Sequence, residues 1–395
     1  MGCFTMGSRL LYIDYNMFGK NDIIEAFTSF GYDVAIIDYP LIYGENSEKT
    51  IEMIDDEISK GYSIVFTSNY YPPVSDICQK YRTKYISWTY DSPRISLYDR
   101  SINNDCNYAF VFDSEECRTL RSKGISTVYY MPLGVNTDRV GSIEYVEQDS
   151  ERFSADVSIV ASLYNEEHNL YDRLYDKLDD YYKGYINAVV DAQKNVLGGT
   201  FLEESLSEDV LKELYRVMPH GFDKNTYADD RYIYANYFLA RKAATYQRKS
   251  MIRSISKEYM MKVYTPGDIS DIPEAYHMGT VEYNSDMNKV FRLSKINLNV
   301  TLPSIKTGIP LRALDIMGAG GFLLTDYRAD MEGLFESGVD YEYYTSIDDA
   351  RNKIEYYLKH EEERKKIAEN GRRKVKLELT YKARIRDILD IVNNS

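Results

Sequence analysis

Two rhythms of apolar residues alternate along the first 140 positions. Short, nearly continuous apolar runs occupy 10–14 (LLYID), 34–40 (VAIIDYP), 62–68 (YSIVFTS), 84–91 (KYISWTYD), 108–114 (YAFVFDS) and 127–135 (TVYYMPLGV). Between them, at 21–31, 47–61, 74–82 and 114–123, apolar residues fall three and four apart. The first set predicts strands and the second amphipathic helices. Asn21 suits a helix N-cap, and Gly31, Gly61 and Gly124 stand where helices should stop. Strands apolar along their whole length, separated by helices, imply a parallel sheet covered on both faces, which is a Rossmann-like half.

The same alternation returns later. A strand reads at 155–164 (ADVSIVASLY), followed from 260 by strands at 260–265, 296–302, 322–326 and 341–345. Helices are expected at 285–294, 310–317, 330–336, 346–358 and 361–370, with Gly371 as a stop, and at 381–393. The stretch 166–258 has helical rhythm, many tyrosines and no strand. It is too long for one crossover and predicts a helical insertion. The fold class expected is therefore α/β with two Rossmann-like domains. An N-terminal one spans 1–150, a second with its insertion spans 151–380, and a terminal helix covers 381–395. Ligands of such sheets bind at the carboxyl ends of the strands, here expected to face an interdomain cleft.

Composition narrows the functions. The 395 residues carry a net charge of −14, which argues against neutralising a nucleic-acid backbone. No apolar stretch is long enough to span a bilayer. The segment MGCFTMGSRLLYIDY reads as a first strand rather than a signal peptide. A cytoplasmic protein is expected, a place compatible with peripheral contact at the inner membrane face. Four cysteines and four histidines are scattered without ligand spacing, so neither a disulfide framework nor a metal site is expected.

The segment 307–326, TGIPLRALDIMGAGGFLLTD, is the most informative. A loop with Gly308 leads to Pro310, which suits a first helical turn. The free N–H groups there make an anion site, flanked by Thr307, Ile309 and Leu311. Arg312 is placed to fork onto a phosphate. Asp315, three residues on, shares its helical face and can accept both hydroxyls of a ribose. Gly318, Gly320 and Gly321 end the helix and let backbone pass close to a ligand or to the next strand.

This segment resembles the C-terminal signature of the CgeB-like (spore maturation protein) GT-B glycosyltransferases, R-x-(F/L)-(E/D)-x-(M/L)-x-x-G-G-x-(L/I)-(L/V)-T-(D/N). The run LFESGVDYEYYTSIDDARNKIEYYLKHEEERKKIAENGRRKV and the run YAFVFDSEECRTLRSKGISTVYYMPLGVN are similar to the same family. The resemblance covers about 108–165 and 255–392 and leaves out 166–254. It implies a bacterial enzyme that moves a sugar from a nucleotide-diphosphate donor, UDP-linked rather than GDP-linked, to a hydroxyl of a glycan or protein. It also implies that Asp315 holds the donor ribose, where Glu is commoner. The acid that retaining relatives carry seven or eight residues upstream is missing, since Thr307 and Gly308 stand there. A degenerate scaffold acting as a partner subunit is the alternative.

Other positions follow from the fold. Asp91, after the strand at 84–91, suits a general base or a charge that positions the sugar, and equally an Asx turn ahead of Pro93. Gly19 and Lys20, after the first strand, are placed to meet donor phosphates or acceptor. Tyr164 and Asn165 follow the first strand of the second half, near the expected diphosphate, and Tyr264 would help frame the base. No D-x-D occurs, which fits metal-independent transfer. No cofactor beyond the co-substrate is expected, and the 166–258 insertion is read as an acceptor platform or homodimer surface.

Overall fold

The computed structural model describes residues 8–38, 48–221 and 226–394. Residues 39–40 and Ser47 of the predicted elements lie outside them, as does Cys3. The chain divides into two compact units. The first takes residues up to Asn136, a short piece ending at Ala228, and everything from Leu379 onward. The second takes the remainder.

In the first unit β1 (Arg9–Asp14), β2 (Asp33–Asp38), β3 (Ile64–Ser68), β4 (Lys84–Trp88), β5 (Asn107–Val111) and β6 (Val128–Tyr130) form one parallel sheet in the order β2-β1-β3-β4-β5-β6. Helices α1 (Lys20–Ser29), α2 (Glu48–Ile58), α3 (Pro72–Tyr81) and α4 (Ser114–Ser122) link the strands. The apolar runs of β1, β3, β4 and β5 are buried as the pattern demands, with Leu10 to Ile13, Val65, Phe66, Ile86, Trp88 and Phe110 at most 1 % exposed, whereas the edge strand β2 has no buried residue and leaves Ile36 exposed. Each such side chain contributes about 1.5–3 kcal/mol through removal from water.

The second unit opens with α5 (Thr137–Gly141) and α6 (Glu147–Phe153), so the boundary falls at Asn136 rather than the expected 150. Asp149 and Lys289, 3.0 Å apart, tie α6 into this unit. Strand β7 (Val157–Val160) is followed by the insertion, whose regular elements among the described residues are helices joined by loops: α7 (Leu170–Tyr175), α8 (Asp180–Lys194), α9 (Glu208–Val217), α10 (Asp230–Ile233), a π-turn at Tyr234–Leu239 and α11 (Ala240–Ile255). Then come β8 (Met261–Tyr264), β9 (Tyr276–His277), α12 (Asp286–Leu293), β10 (Ile296–Asn299), α13 (Leu311–Ala319), β11 (Leu323–Asp326), α14 (Ala329–Glu332), β12 (Glu342–Tyr344), α15 (Ile347–Lys359) and α16 (Glu361–Glu378). The sheet order is β12-β11-β10-β7-β8-β9, again parallel. Ile252 and Ile255 of α11 join Val157, Val263 and Leu298 in its core. The last helix, α17 (Tyr381–Asn394), belongs to the first unit and packs on α1.

Gly371 does not end a helix. It lies inside α16, buried, and a Cβ there would strike the Asp340 carbonyl and come within 3.0 Å of the Met317 side chain. Among the described residues no helix is long and apolar enough to cross a membrane.

Gly321 marks where α13 passes into β11. A Cβ added to it would meet the Phe291 carbonyl and sit 2.6 Å from Asn297 Nδ2, an amide that itself donates to Phe291 O at 2.8 Å. Gly321→Ala is expected to destabilise the second unit by about 1–3 kcal/mol through overpacking. Denaturant titration checks this, and an unchanged midpoint would refute it.

Candidate active site

In the second sheet the chain runs from β7 outward to β8 and β9, then returns to the other side of β7 with β10. The reversal falls at the carboxyl ends of β7 and β10, the place where open α/β sheets bind ligands. Three pieces of chain meet there. They are the loop after β7, the loop 300–310 after β10, and the amino end of α13.

The 300–310 loop is held from below. Asp326, at the end of β11, accepts from the Thr301 amide at 3.0 Å and the Thr301 hydroxyl at 2.7 Å. Its other carboxylate oxygen accepts from Arg328 Nε at 3.0 Å and pairs with a second guanidinium nitrogen. Arg328 also donates to the Ile305 carbonyl at 2.6 Å, and both side chains are 2 % exposed. This buried pair ties both ends of the turn that presents Gly308. Arg248, reaching up from α11, donates to the Val300 carbonyl from Nε (3.1 Å) and Nη2 (2.8 Å) and to the Ser162 carbonyl. One guanidinium therefore joins the carboxyl ends of β10 and β7. None of the three residues has a periodic signal, which is why sequence reasoning missed the roles of Arg248 and Arg328.

Pro310 proves to be the N-cap of α13 (ψ 145°), one position before the expected first turn, and no side chain caps that end. The Ala313 amide turns back to the Pro310 carbonyl at 3.0 Å, and the helix dipole adds positive potential at this end. Gly308, Ile309 and Pro310 are buried, and Thr307 and Leu311 are partly so. Asp315 is 3 % exposed. Its carboxylate accepts from the Tyr283 hydroxyl at 3.1 Å and lies 3.5 Å from an Arg312 nitrogen. Arg312 also contacts Met287 Sδ and stands 5.6 Å above the Phe291 ring. The unforeseen Tyr283 comes from the irregular stretch between β9 and α12.

Tyr164 follows β7 at a left-handed φ of 53°. Its ring has Arg248 at 5.1 Å and Arg241 at 5.7 Å from the centroid. Arg241 Nε is buried without a hydrogen-bond partner. Asn165 donates to the Asp268 carbonyl at 2.8 Å, closing the β7 loop onto the β8 loop. Gly267 has to be glycine there, since a Cβ would hit the Asn165 side chain.

Three groups of expected residues have other partners in the fold. Gly320 and Gly321 are at the far end of α13. Gly320 is its left-handed C-cap (φ 81°) and Gly321 leads into the amino end of β11. Nine helical residues, about 13 Å, separate them from the amino end of α13, and a Cβ on Gly321 would meet the Phe291 carbonyl. Tyr264 is buried in β8, its hydroxyl 3.5 Å from the Arg152 carbonyl, and burial pushes the phenol up to about 12. In the first unit, Lys20 pairs with Asp14 at 3.0 Å and with Asp38. Asp38 and Asp14 hold its ammonium above the usual lysine range against the opposing effect of burial. Gly19 packs so tightly on Tyr381 that a Cβ would lie 2.5 Å from the hydroxyl oxygen. Both residues are thus committed within the unit.

The first sheet has its own reversal between β1 and β3. Tyr15 stacks on Tyr71 at 3.7 Å, and the Arg94 guanidinium stands 4.8 Å from the Tyr71 centroid. Burial, with Tyr71 adding to it, holds the Tyr15 phenol well above its ordinary range. Arg94 is buried and donates to Ser96 Oγ at 2.8 Å and the Tyr70 carbonyl at 3.2 Å. Asp91 is exposed just past β4, and one of its carboxylate oxygens accepts from Asn69 Nδ2 at 2.8 Å. Among the described residues no three His, Cys, Asp or Glu side chains converge as a metal site. Cys78, Cys106 and Cys117 are free and buried.

Residues 242–390 match a family described as glycosyl transferase-like. No curated protein matches the sequence. Solved structures of the same fold include a glycosyltransferase from Rickettsia africae ESF-5, 12% identical over 98% of this chain and 97% of that one, with TM-score 0.55. Sucrose-phosphate synthase from Thermosynechococcus elongatus is 11% identical, with 98% of each chain covered and TM-score 0.56. Anabaena HepE, solved in complex with UDP-glucose, is 9% identical over 98% of this chain and 100% of that one, with TM-score 0.54. The fold is GT-B, with two parallel six-stranded sheets.

Proposed function

We propose that this chain is a metal-independent glycosyltransferase of the CgeB-like kind, moving a sugar from a UDP-linked donor to a hydroxyl of a glycan or protein. The observation that carries the reading is α13, whose uncapped amino end stands at the reversal of the second sheet with the buried Asp315 one turn on. A diphosphate suits the helix end, and a ribose diol suits the carboxylate. HepE, of the same fold, binds UDP-glucose, which favours uridine.

In this reading Thr307, Gly308, Ile309 and Leu311 shape the donor loop, Arg312 and Arg241 face the phosphates, and Tyr164 and Asn165 wall the donor site. The leaving diphosphate is stabilised by the helix dipole and guanidinium groups. Asp91, on the acceptor-side unit, accepts the proton of the acceptor hydroxyl or positions the sugar. The insertion serves as acceptor platform or homodimer surface, and the protein works in a bacterial cytoplasm or at the inner membrane face. Thr307 and Gly308, where retaining relatives carry an acid, favour a second reading, a scaffold subunit that binds without turnover.

A thermal-shift screen with UDP, GDP, TDP, ADP and CMP tests the donor. A ligand at 100 times its dissociation constant adds about 2.7 kcal/mol of stability. Stabilisation by UDP alone is expected, and no shift with any nucleotide would overturn the proposal.

A further inference from the structure

Asn69, the residue after β3, is 2 % exposed and adopts a left-handed φ of 70°. Asparagine tolerates that conformation better than most side chains. Each of its polar groups is engaged. The backbone amide donates to the Trp88 carbonyl at 2.8 Å, and the carbonyl accepts from Thr67 Oγ1 at 2.6 Å. Oδ1 accepts from the amides of Tyr90 (2.8 Å) and Asp91 (3.1 Å). Nδ2 donates to Asp91 Oδ2 at 2.8 Å. One side chain thus fixes both the backbone course after β4 and the orientation of an exposed carboxylate. The anchor is a neighbouring strand, so the geometry does not depend on the loop that carries Asp91.

We propose that Asn69 is the positioning residue that holds the Asp91 carboxylate toward the acceptor. This rests on the role given to Asp91 above. An Asx turn within residues 91–93 would need no partner on β3. Here the carboxylate is instead held by a buried amide whose other end shapes the turn.

The test uses the full chain and two readouts. In the first, carboxylates are labelled with a carbodiimide and glycine ethyl ester and read by peptide mass spectrometry. Asn69→Gly keeps the left-handed backbone and removes the clamp. Its Asp91 is expected to label roughly 2–10-fold faster than in wild type, the worth of one hydrogen bond, with other carboxylates unchanged. Equal Asp91 rates would overturn the proposal. The second readout is release of UDP from UDP-glucose. Asn69→Asp is isosteric, keeps the acceptor for both backbone amides and sets carboxylate against carboxylate. Its kcat should fall about 10–100-fold, as for a misplaced catalytic group, with KM for UDP-glucose unchanged. Asn69→Asp combined with Asp91→Asn restores the hydrogen bond with reversed polarity. That pair should recover the melting temperature but not turnover. If Asp91→Asn alone keeps full turnover, the role of Asp91 falls, and the labelling result still decides whether Asn69 holds it. If Asp91→Asn is inactive while Asn69→Asp turns over like wild type, the positioning proposal fails by itself.

Discussion

Asp315→Ala should weaken UDP binding about 10–100-fold, the net worth of one hydrogen bond to a charged acceptor at roughly 1.5–3 kcal/mol. The carboxylate is buried and already oriented by Tyr283 and Arg312, so little ordering is needed when a diol arrives. Removing it leaves the Tyr283 hydroxyl half-buried beside solvent, a modest cost, and the fold should persist. Asp315→Glu should keep most of the affinity, because it restores the residue commoner in the resembling family. Calorimetric titration with UDP measures both variants. Wild-type affinity in Asp315→Ala would remove this residue from the donor site.

Arg328→Ala should be the most destabilising single change on the donor side. It strands the Asp326 carboxylate in the interior and releases the Ile305 carbonyl. Breaking a buried pair costs about 3–5 kcal/mol, or roughly 6–20 °C in the melting temperature of a unit this size. Thr301 remains tied to Asp326, but the far end of the turn does not, so Gly308 and the start of α13 lose their fixed place. The account therefore predicts that UDP no longer stabilises whatever folded protein remains. A melting curve with and without UDP reads both effects. A variant that melts near wild type and still responds to UDP would show that the pair does not hold the loop.

Much of the fold was legible because its central strands are buried on both faces and its helices on one. Those two burial patterns write different apolar spacings into the chain, and among the described residues every one of the twelve strands but the two-residue β9 overlaps a predicted run, with β1, β2 and β5 each starting one residue early. What failed did so for physical reasons. Gly371 looks like a stop, yet it permits the approach of the Asp340 carbonyl while the helix runs on to Glu378. Gly320 and Gly321 share a motif with Arg312 and Asp315, but a helix separates them, and adjacency in sequence is not adjacency at a ligand. The compact units divide at Asn136 rather than near 150, and α5 and α6, which make the difference, are short and polar. Their attachment, through pairs such as Asp149 with Lys289, spans 140 residues. The final helix was expected to stand apart, but its apolar face is matched to α1, more than 350 positions earlier.

The site was legible as a motif and illegible as a mechanism. Pro310, Arg312 and Asp315 are close in sequence, so helical geometry alone relates them. The residues that fix them, Arg248, Tyr283 and Arg328, come from α11, the β9–α12 stretch and the segment beyond β11. Asn69 and Asp91 are likewise joined only by the pairing of β3 with β4. No spacing rule links residues that meet across a sheet.

The most direct test of the central claim is a crystal structure of the protein with UDP. The account predicts the diphosphate at the amino end of α13, against the 300–310 loop, with the ribose hydroxyls on Asp315. UDP bound elsewhere, or a ribose turned away from Asp315, would contradict it.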